Sequence, residues 1–184
     1  MMLMRTLLTF FFFFALTACS GSGPEPRQKI SNPDVLSRGA RLVNGLAACG
    51  TCHGKISSPD SPLTGGRASN DIYGEVNAPN ITPAKTGLAS WSTNEVMRAV
   101  RNSVGKGGTE LSQSMHSGYL WMSDDDLLAI VGYLRTVQPV ENEVERRSVG
   151  FFSRNTSGIF QSRKKVAGYV PSINPNERIS YGRY

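Results

Sequence analysis

Cys49, Cys52 and His53 stand in one five-residue run, Cys-Gly-Thr-Cys-His. Two thiols three positions apart can each form a thioether with a vinyl group of one porphyrin, and the adjoining imidazole then lies where it can bind the iron from one face. Cys-x-x-Cys-His is the spacing that attaches a c-type haem, and the chemistry it predicts is transfer of single electrons. Two other chemistries use Cys-x-x-Cys. A thioredoxin-like redox pair needs the motif just after a strand, whereas the residues before Cys49 read as helix. A four-ligand zinc site needs a second pair of ligands, and the other Cys and His are the distant Cys19 and the solitary His116.

The first nineteen residues point to export. Arg5 supplies a positive start, Leu7 to Leu16 form an apolar run with five consecutive phenylalanines, and Leu16-Thr17-Ala18-Cys19 closes it. The run is short for a bilayer span. Its end resembles a bacterial lipobox, which predicts a signal peptide over 1–18 and an acylated N-terminus at Cys19. Residues 19–32, with Ser-Gly-Ser-Gly-Pro-Glu-Pro at their start, read as a flexible linker. The expected location is the periplasmic side of a bacterial membrane, by lipid anchor. Covalent haem attachment takes place outside the cytoplasm, so leader and motif support each other, and no cysteine is left for a disulfide.

Positioning the motif falls to helices. Asn32-Pro33-Asp34 reads as a helix start, and Val35, Leu36, Leu42 and Val43 continue it at near-helical spacing through Leu46. Residues 54–89 are rich in Gly, Pro, Asn and Ser and read as loop wrapped around the cofactor, with no strand-like alternation. Ser92-x-x-Glu95 is a capping box that predicts a helix over Glu95 to Val104, ended by Gly105, Gly107 and Gly108. Ser123 caps a third helix, places Asp124, Asp125 and Asp126 at its positive end, and leads into Leu127, Leu128, Ile130, Val131 and Leu134 before Pro139. The predicted class is all-α, three main helices and long loops around one covalently bound haem, over 33–142.

Three helices with Cys-x-x-Cys-His after the first and a Met-bearing loop before the last resemble a class I cytochrome c. Ala78-Pro79-Asn80-Ile81-Thr82-Pro83, Thr86-Gly87, Trp91, Ala99-Val100-Arg101-Asn102 and 127–139 resemble, more narrowly, the haem c subunits of membrane-bound bacterial alcohol and gluconate dehydrogenases. The resemblance implies that the first and last helices cross, setting Gly39, Leu42 and Val43 against Tyr133 and Leu134. It also implies a distal iron ligand from a Pro-x-Met-Pro segment, whose place is taken by Gln113-Ser114-Met115-His116. Met115 is the expected ligand, with His116 and Met122 as alternatives, because both flanking prolines of the pattern are replaced. Thioether ligation would raise the potential. Asn80-Ile81-Thr82 also matches a glycosylation sequon, which a bacterial lipoprotein discounts.

Residues 145–184 hold eight basic residues against Glu145 and Glu177, so the formal charge of +6 resides there and the rest of the chain balances. This basic segment, 143–184, lacks a nucleic-acid-binding motif, and docking to acidic headgroups or a protein partner is the expected use. Residues 176–184 parallel 34–42, as if approaching a second, missing haem domain. The expected role is a mono-haem carrier with no substrate chemistry of its own, passing single electrons between a dehydrogenase and a respiratory oxidase or other cytochrome. The rivals are a haem peroxidase or gas sensor with an open distal site, and a structural haem subunit.

Overall fold

A computed structural model describes residues 30–54, 61–147, 150–152, 156, 164–174 and 176–184. The predicted signal peptide, the lipobox Cys19 and nearly all of the linker lie outside the described residues. No helix among the described residues is long and apolar enough to cross a membrane.

Helix α1, Pro33–Arg41, begins as expected: the Asn32 side chain accepts from the Asp34 N–H at 2.8 Å, and Pro33 fills the first position, where a missing N–H costs nothing. The α-ladder does not continue to Leu46. Residues Leu42–Leu46 form a π-helical turn in which the Leu42 carbonyl accepts from the Ala47 N–H at 2.8 Å. Such wider turns frequently sit at functional sites. Here it keeps Leu42 and Val43 buried while the chain, with Ala48 at φ 44°, swings into α2, Gly50–His53, directly through the cysteine motif.

The segment expected to be loop contains a small antiparallel hairpin, β1 (Ala68–Asp71) and β2 (Gly74–Asn77), with Ala68 opposite Asn77 and Asp71 opposite Gly74. Its strands carry no apolar alternation because neither face is buried by a core. The hairpin is made at its turn, where Asp71 Oδ1 accepts from the Tyr73 N–H at 2.8 Å and Gly74 takes φ 94°.

Helix α3, Thr93–Asn102, carries the full capping box: Ser92 Oγ accepts from the Glu95 N–H and Glu95 Oε2 accepts from the Ser92 N–H. It stops before the predicted Val104, because Ser103 adopts the left-handed conformation at φ 53°, so the following glycines are not the terminator. A four-residue helix, α4 (Gln113–His116), precedes α5, Asp124–Leu134, whose Ser123 cap accepts from Asp126 N–H at 3.2 Å. α5 ends well before Pro139, at Arg135.

The core is the crossing of α1 over α5, reinforced by α3. Gly39 makes the crossing possible, since a Cβ there would collide with the Ala129 carbonyl and the Tyr133 side chain. Leu127, Ile130 and Val131 of α5 are fully buried with Val43. Burial of four such side chains at about 1.5–3 kcal/mol each is the main support beneath the cysteine motif. The three aspartates of α5 do more than favour its positive end. Asp124 pairs with Arg101 at 2.5 Å, buried Asp126 pairs with Arg38 of α1, and Asp125 accepts from Ser172 at 2.7 Å. The basic segment returns to the same place: Val170 exchanges bonds with Asp124, and the Tyr184 hydroxyl donates to Asp126 Oδ2 at 2.8 Å from beside α6, Arg178–Arg183.

Candidate functional site

A cavity of about 330 Å³ opens between α2, the hairpin, α3 and α4, within the roughly 300–1,000 Å³ typical of cofactor pockets. Its wall is mainly apolar, with Leu88, Trp91, Val96, Val100, Ile130 and Leu134 among the residues around it. Cys49, Cys52 and His53 all line it, as do Met115 and His116 on the α4 side. Met122 does not. It is buried in the core cluster, where its backbone carbonyl accepts from Arg101 at 2.7 Å.

Both thiols are free. Burial pushes the Cys49 thiol up to about 11, the reverse of the thiolate stabilisation a thioredoxin-like pair depends on. Among the described residues no group of three or more His, Cys, Asp or Glu is placed to hold a metal ion. His53 is built as an iron ligand requires. Its Nδ1 donates to the Pro79 carbonyl at 2.7 Å, which fixes the ring and leaves Nε2 free. Burial pulls the imidazole down to about 4, a shift that His116 opposite adds to and the Pro79 bond opposes. The ring is therefore neutral, the form that binds a metal.

The Pro79 carbonyl is itself held in place. The next residue, Asn80, is buried, and its Oδ1 accepts from the Thr82 N–H at 3.0 Å and the Thr82 hydroxyl at 2.8 Å. Its Nδ2 donates to Thr86 Oγ1 at 3.0 Å and to the Val140 carbonyl at 2.9 Å. Asn80 thus uses its whole hydrogen-bonding capacity inside the protein, and its amide is no accessible sequon. Glu141 closes the same loop from above, accepting from the Lys85 and Thr86 N–H groups at 3.0 Å each. On the other side Gly65, at φ 73°, donates its N–H to the His53 carbonyl at 2.8 Å and lies too close to Pro79 for any side chain. Sequence alone assigns no site role to Asn80, Thr82, Glu141 or Gly65. Asn80 and Thr82 enter the sequence reading only as part of the Asn-Ile-Thr-Pro stretch that carries the resemblance, and the folded chain shows what they hold.

On the facing wall, His116 Nδ1 donates to the Ala99 carbonyl of α3 at 3.1 Å, and burial holds its imidazole below the ordinary range. The Tyr119 ring stands 5.8 Å from it, centre to centre, and its hydroxyl donates to the Ala47 carbonyl at 2.6 Å. Trp91, to which the sequence gives no role, lines the cavity and packs on the core, its carbonyl accepting from Arg135. Arg146 and Arg147 also reach the cavity rim. Arg147 pairs with Asp71 of the hairpin at 2.5 Å and holds that carboxyl down at about 2.

A haem fits this donor set: two thiols and a neutral imidazole on one wall of an apolar cavity, with a second imidazole and a thioether on the other. The Cytochrome c family profile matches residues 36–138. The chain is 28% identical to the fructose dehydrogenase cytochrome subunit of Gluconobacter japonicus over 99% of its own length and 38% of that protein. It is 32% identical to the gluconate 2-dehydrogenase cytochrome c subunit of Pantoea cypripedii over 60% of the chain and 25% of that protein. A third similarity, 29% over 73% of the chain and 11% of the relative, is to a nicotinate dehydrogenase subunit of Pseudomonas putida. The chain thus spans less than two fifths of the length of each of these relatives.

Proposed function

Because the chain belongs to the cytochrome c family and haem c is its cofactor, we propose that it is a membrane-anchored, periplasmic mono-haem carrier passing single electrons from a dehydrogenase to a respiratory oxidase or another cytochrome. The observation that carries this reading is the wall of α2, where Cys49, Cys52 and a His53 with its Nε2 free face one apolar cavity. When bound, the haem supplies the one-electron ferric/ferrous couple. The chain does the rest. Cys49 and Cys52 would hold the macrocycle through thioethers, and His53, its ring oriented by the Pro79 carbonyl, would supply a neutral imidazole to the iron. Leu88, Val96 and Ile130 exclude water. The three relatives are named as subunits of dehydrogenases, which supports a dehydrogenase as donor. The lipobox sequence supports Cys19 as the acylated anchor, and the near-neutral body of the chain leaves partner steering to the basic segment.

Haem should stay with the polypeptide through acid-acetone extraction and denaturing electrophoresis, and membranes of the native host should reduce the purified protein when a dehydrogenase substrate is added. Extractable haem sinks the covalent assignment, and a protein inert to every dehydrogenase-containing membrane sinks the carrier role. Cys19→Ala should release the protein from the membrane fraction; unchanged partitioning and mobility would dismiss the anchor.

A further inference from the structure

We propose that Arg147, through its Nε–H, holds one of the two carboxylate side chains of the haem at the hairpin edge of the cavity. The inference rests on the haem reading above, and its residue lies beyond the 36–138 stretch that the family profile matches. Haem is not wholly apolar. A carboxylate that enters a mainly apolar cavity needs a cation or hydrogen-bond donors there. Among the described residues lining this cavity, Arg67, Lys106, Arg146 and Arg147 stand against Glu110, so the wall carries the complementary sign. Two of these cations are engaged elsewhere: Arg67 donates to the Thr51 carbonyl, and Lys106 to the Ser90 carbonyl at 2.7 Å and to Ser90 Oγ at 3.0 Å. Arg146 is exposed to solvent.

Arg147 is held differently. Its Nη1 donates to Asp71 Oδ1 at 2.5 Å and to the Gly74 carbonyl at 3.2 Å, and its Nη2 donates to Asp71 Oδ2 at 2.8 Å. The guanidinium carbon also stands 5.6 Å from the centre of the Tyr73 ring. A two-pronged bond to a carboxylate fixes the direction of the planar guanidinium as well as its place. What this leaves is Nε, which is buried and has no hydrogen-bond partner. A buried N–H without an acceptor is costly, and folded proteins leave few of them. Arg101 Nε shares that condition, but Arg101 does not line the cavity. The pinned guanidinium is therefore a donor set in the cavity wall that lacks an acceptor, and a haem carboxylate is the acceptor the cofactor brings. A cation held against that carboxylate offsets its negative charge and so favours ferrous iron, which raises the potential. Through Arg147 the segment that follows the matched domain would tune the haem on which it closes.

The test uses the full chain matured with covalent haem. A crystal structure of the wild-type holoprotein should place Arg147 Nε within hydrogen-bonding distance of a haem carboxylate oxygen. In resonance Raman spectra Arg147→Gln should shift a low-frequency band of the haem carboxylate side chains, and its midpoint potential should fall. Arg146→Gln removes the same charge one position earlier, and it should leave the band in place and lower the potential less. An unshifted band in Arg147→Gln, or equal falls in potential from the two variants, overturns the assignment, since Arg147 would then act as hairpin support or as charge alone. A wild-type structure in which Nε meets water or a solvent anion, with both haem carboxylates out of reach, overturns it too. If Arg147→Gln does not accumulate, that structure decides alone. Haem that extracts from the wild-type chain is a separate result: it strikes the covalent-haem reading, whichever group holds the carboxylates.

Discussion

His53 and His116 are each steadied by a backbone carbonyl across one cavity, yet the chain reaches the two positions differently. The proximal ring sits in α2, whose carbonyl at His53 accepts from Gly65 and whose Pro79 partner is locked by the Asn80–Thr82–Thr86–Val140 network. The His116 ring, on the facing wall, ends the four-residue α4, whose Ser112 N-cap makes no side-chain capping bond. It is held by single contacts: His116 to Ala99, Tyr119 to Ala47, and Gln113 donating to the Lys164 carbonyl at 2.6 Å. A cooperative network loses several bonds when one member is removed, whereas isolated contacts fail one at a time. The proximal wall should therefore respond to substitution steeply and the distal wall gently.

Gly65→Ala should have the largest effect. A side chain there needs a left-handed backbone and enters the Pro79 peptide, so strain and overpacking act together. We expect a loss of about 4 kcal/mol or failure to accumulate holoprotein, read by denaturant unfolding. A mild effect would mean that the proximal wall yields as readily as the distal one. Asn80→Ala comes next. It strands the Thr82 N–H in the interior and leaves the Thr82 O–H and the Val140 carbonyl only their 3.2 Å bond to each other, at about 2–3 kcal/mol, and it frees the Pro79 peptide, so haem retention should fall with stability.

At the rim between the walls, Asp71→Asn removes the partner of Arg147, with an expected cost of about 1–2 kcal/mol after solvent screening at the hairpin edge. The guanidinium holds the Asp71 carboxyl at about 2 against an ordinary 3.8. A depressed carboxyl contributes its stability above the unfolded value and loses it as pH falls. Wild type and Asp71→Asn should thus differ most above about pH 4 and converge toward pH 2, which unfolding measured across that range will check. A difference independent of pH would place the effect in packing and not in the ion pair.

The contrast between the walls also explains what the sequence made legible. Asn32-Pro33, Ser92-x-x-Glu95, Ser123 and Cys-x-x-Cys-His are local codes, each satisfied within a few residues, and each stands where the spacing predicts. The hairpin is different, because strands that bury no face leave no period-two pattern. Asp126 reads as a helix-end charge, yet it is buried 88 positions from its partner Arg38. Asn80 resembles a motif residue, but its role depends on Val140, 60 positions away. The π-helical turn after α1 has no signature in residue type at all: it arises where Leu42 and Val43 must stay in the core while the next residues turn to the cavity.

Tyr119→Phe isolates the distal wall with the smallest change. It deletes only the hydroxyl that donates to the Ala47 carbonyl at 2.6 Å and keeps the ring beside His116. Leaving one carbonyl unpaired should cost about 1 kcal/mol. Because that bond ties the chain after α4 to the turn before the cysteine motif, its loss should loosen the His116 side while covalent haem retention stays at the wild-type level. The expected sign is faster entry of carbon monoxide or added imidazole into the distal position, with little change in unfolding midpoint. Equal loss of stability and haem retention, as expected for Asn80→Ala, would show that Tyr119 supports the proximal wall through Ala47 and that the two sides are one cooperative unit. Unchanged ligand entry would mean that the Ala99 carbonyl alone holds His116 in place.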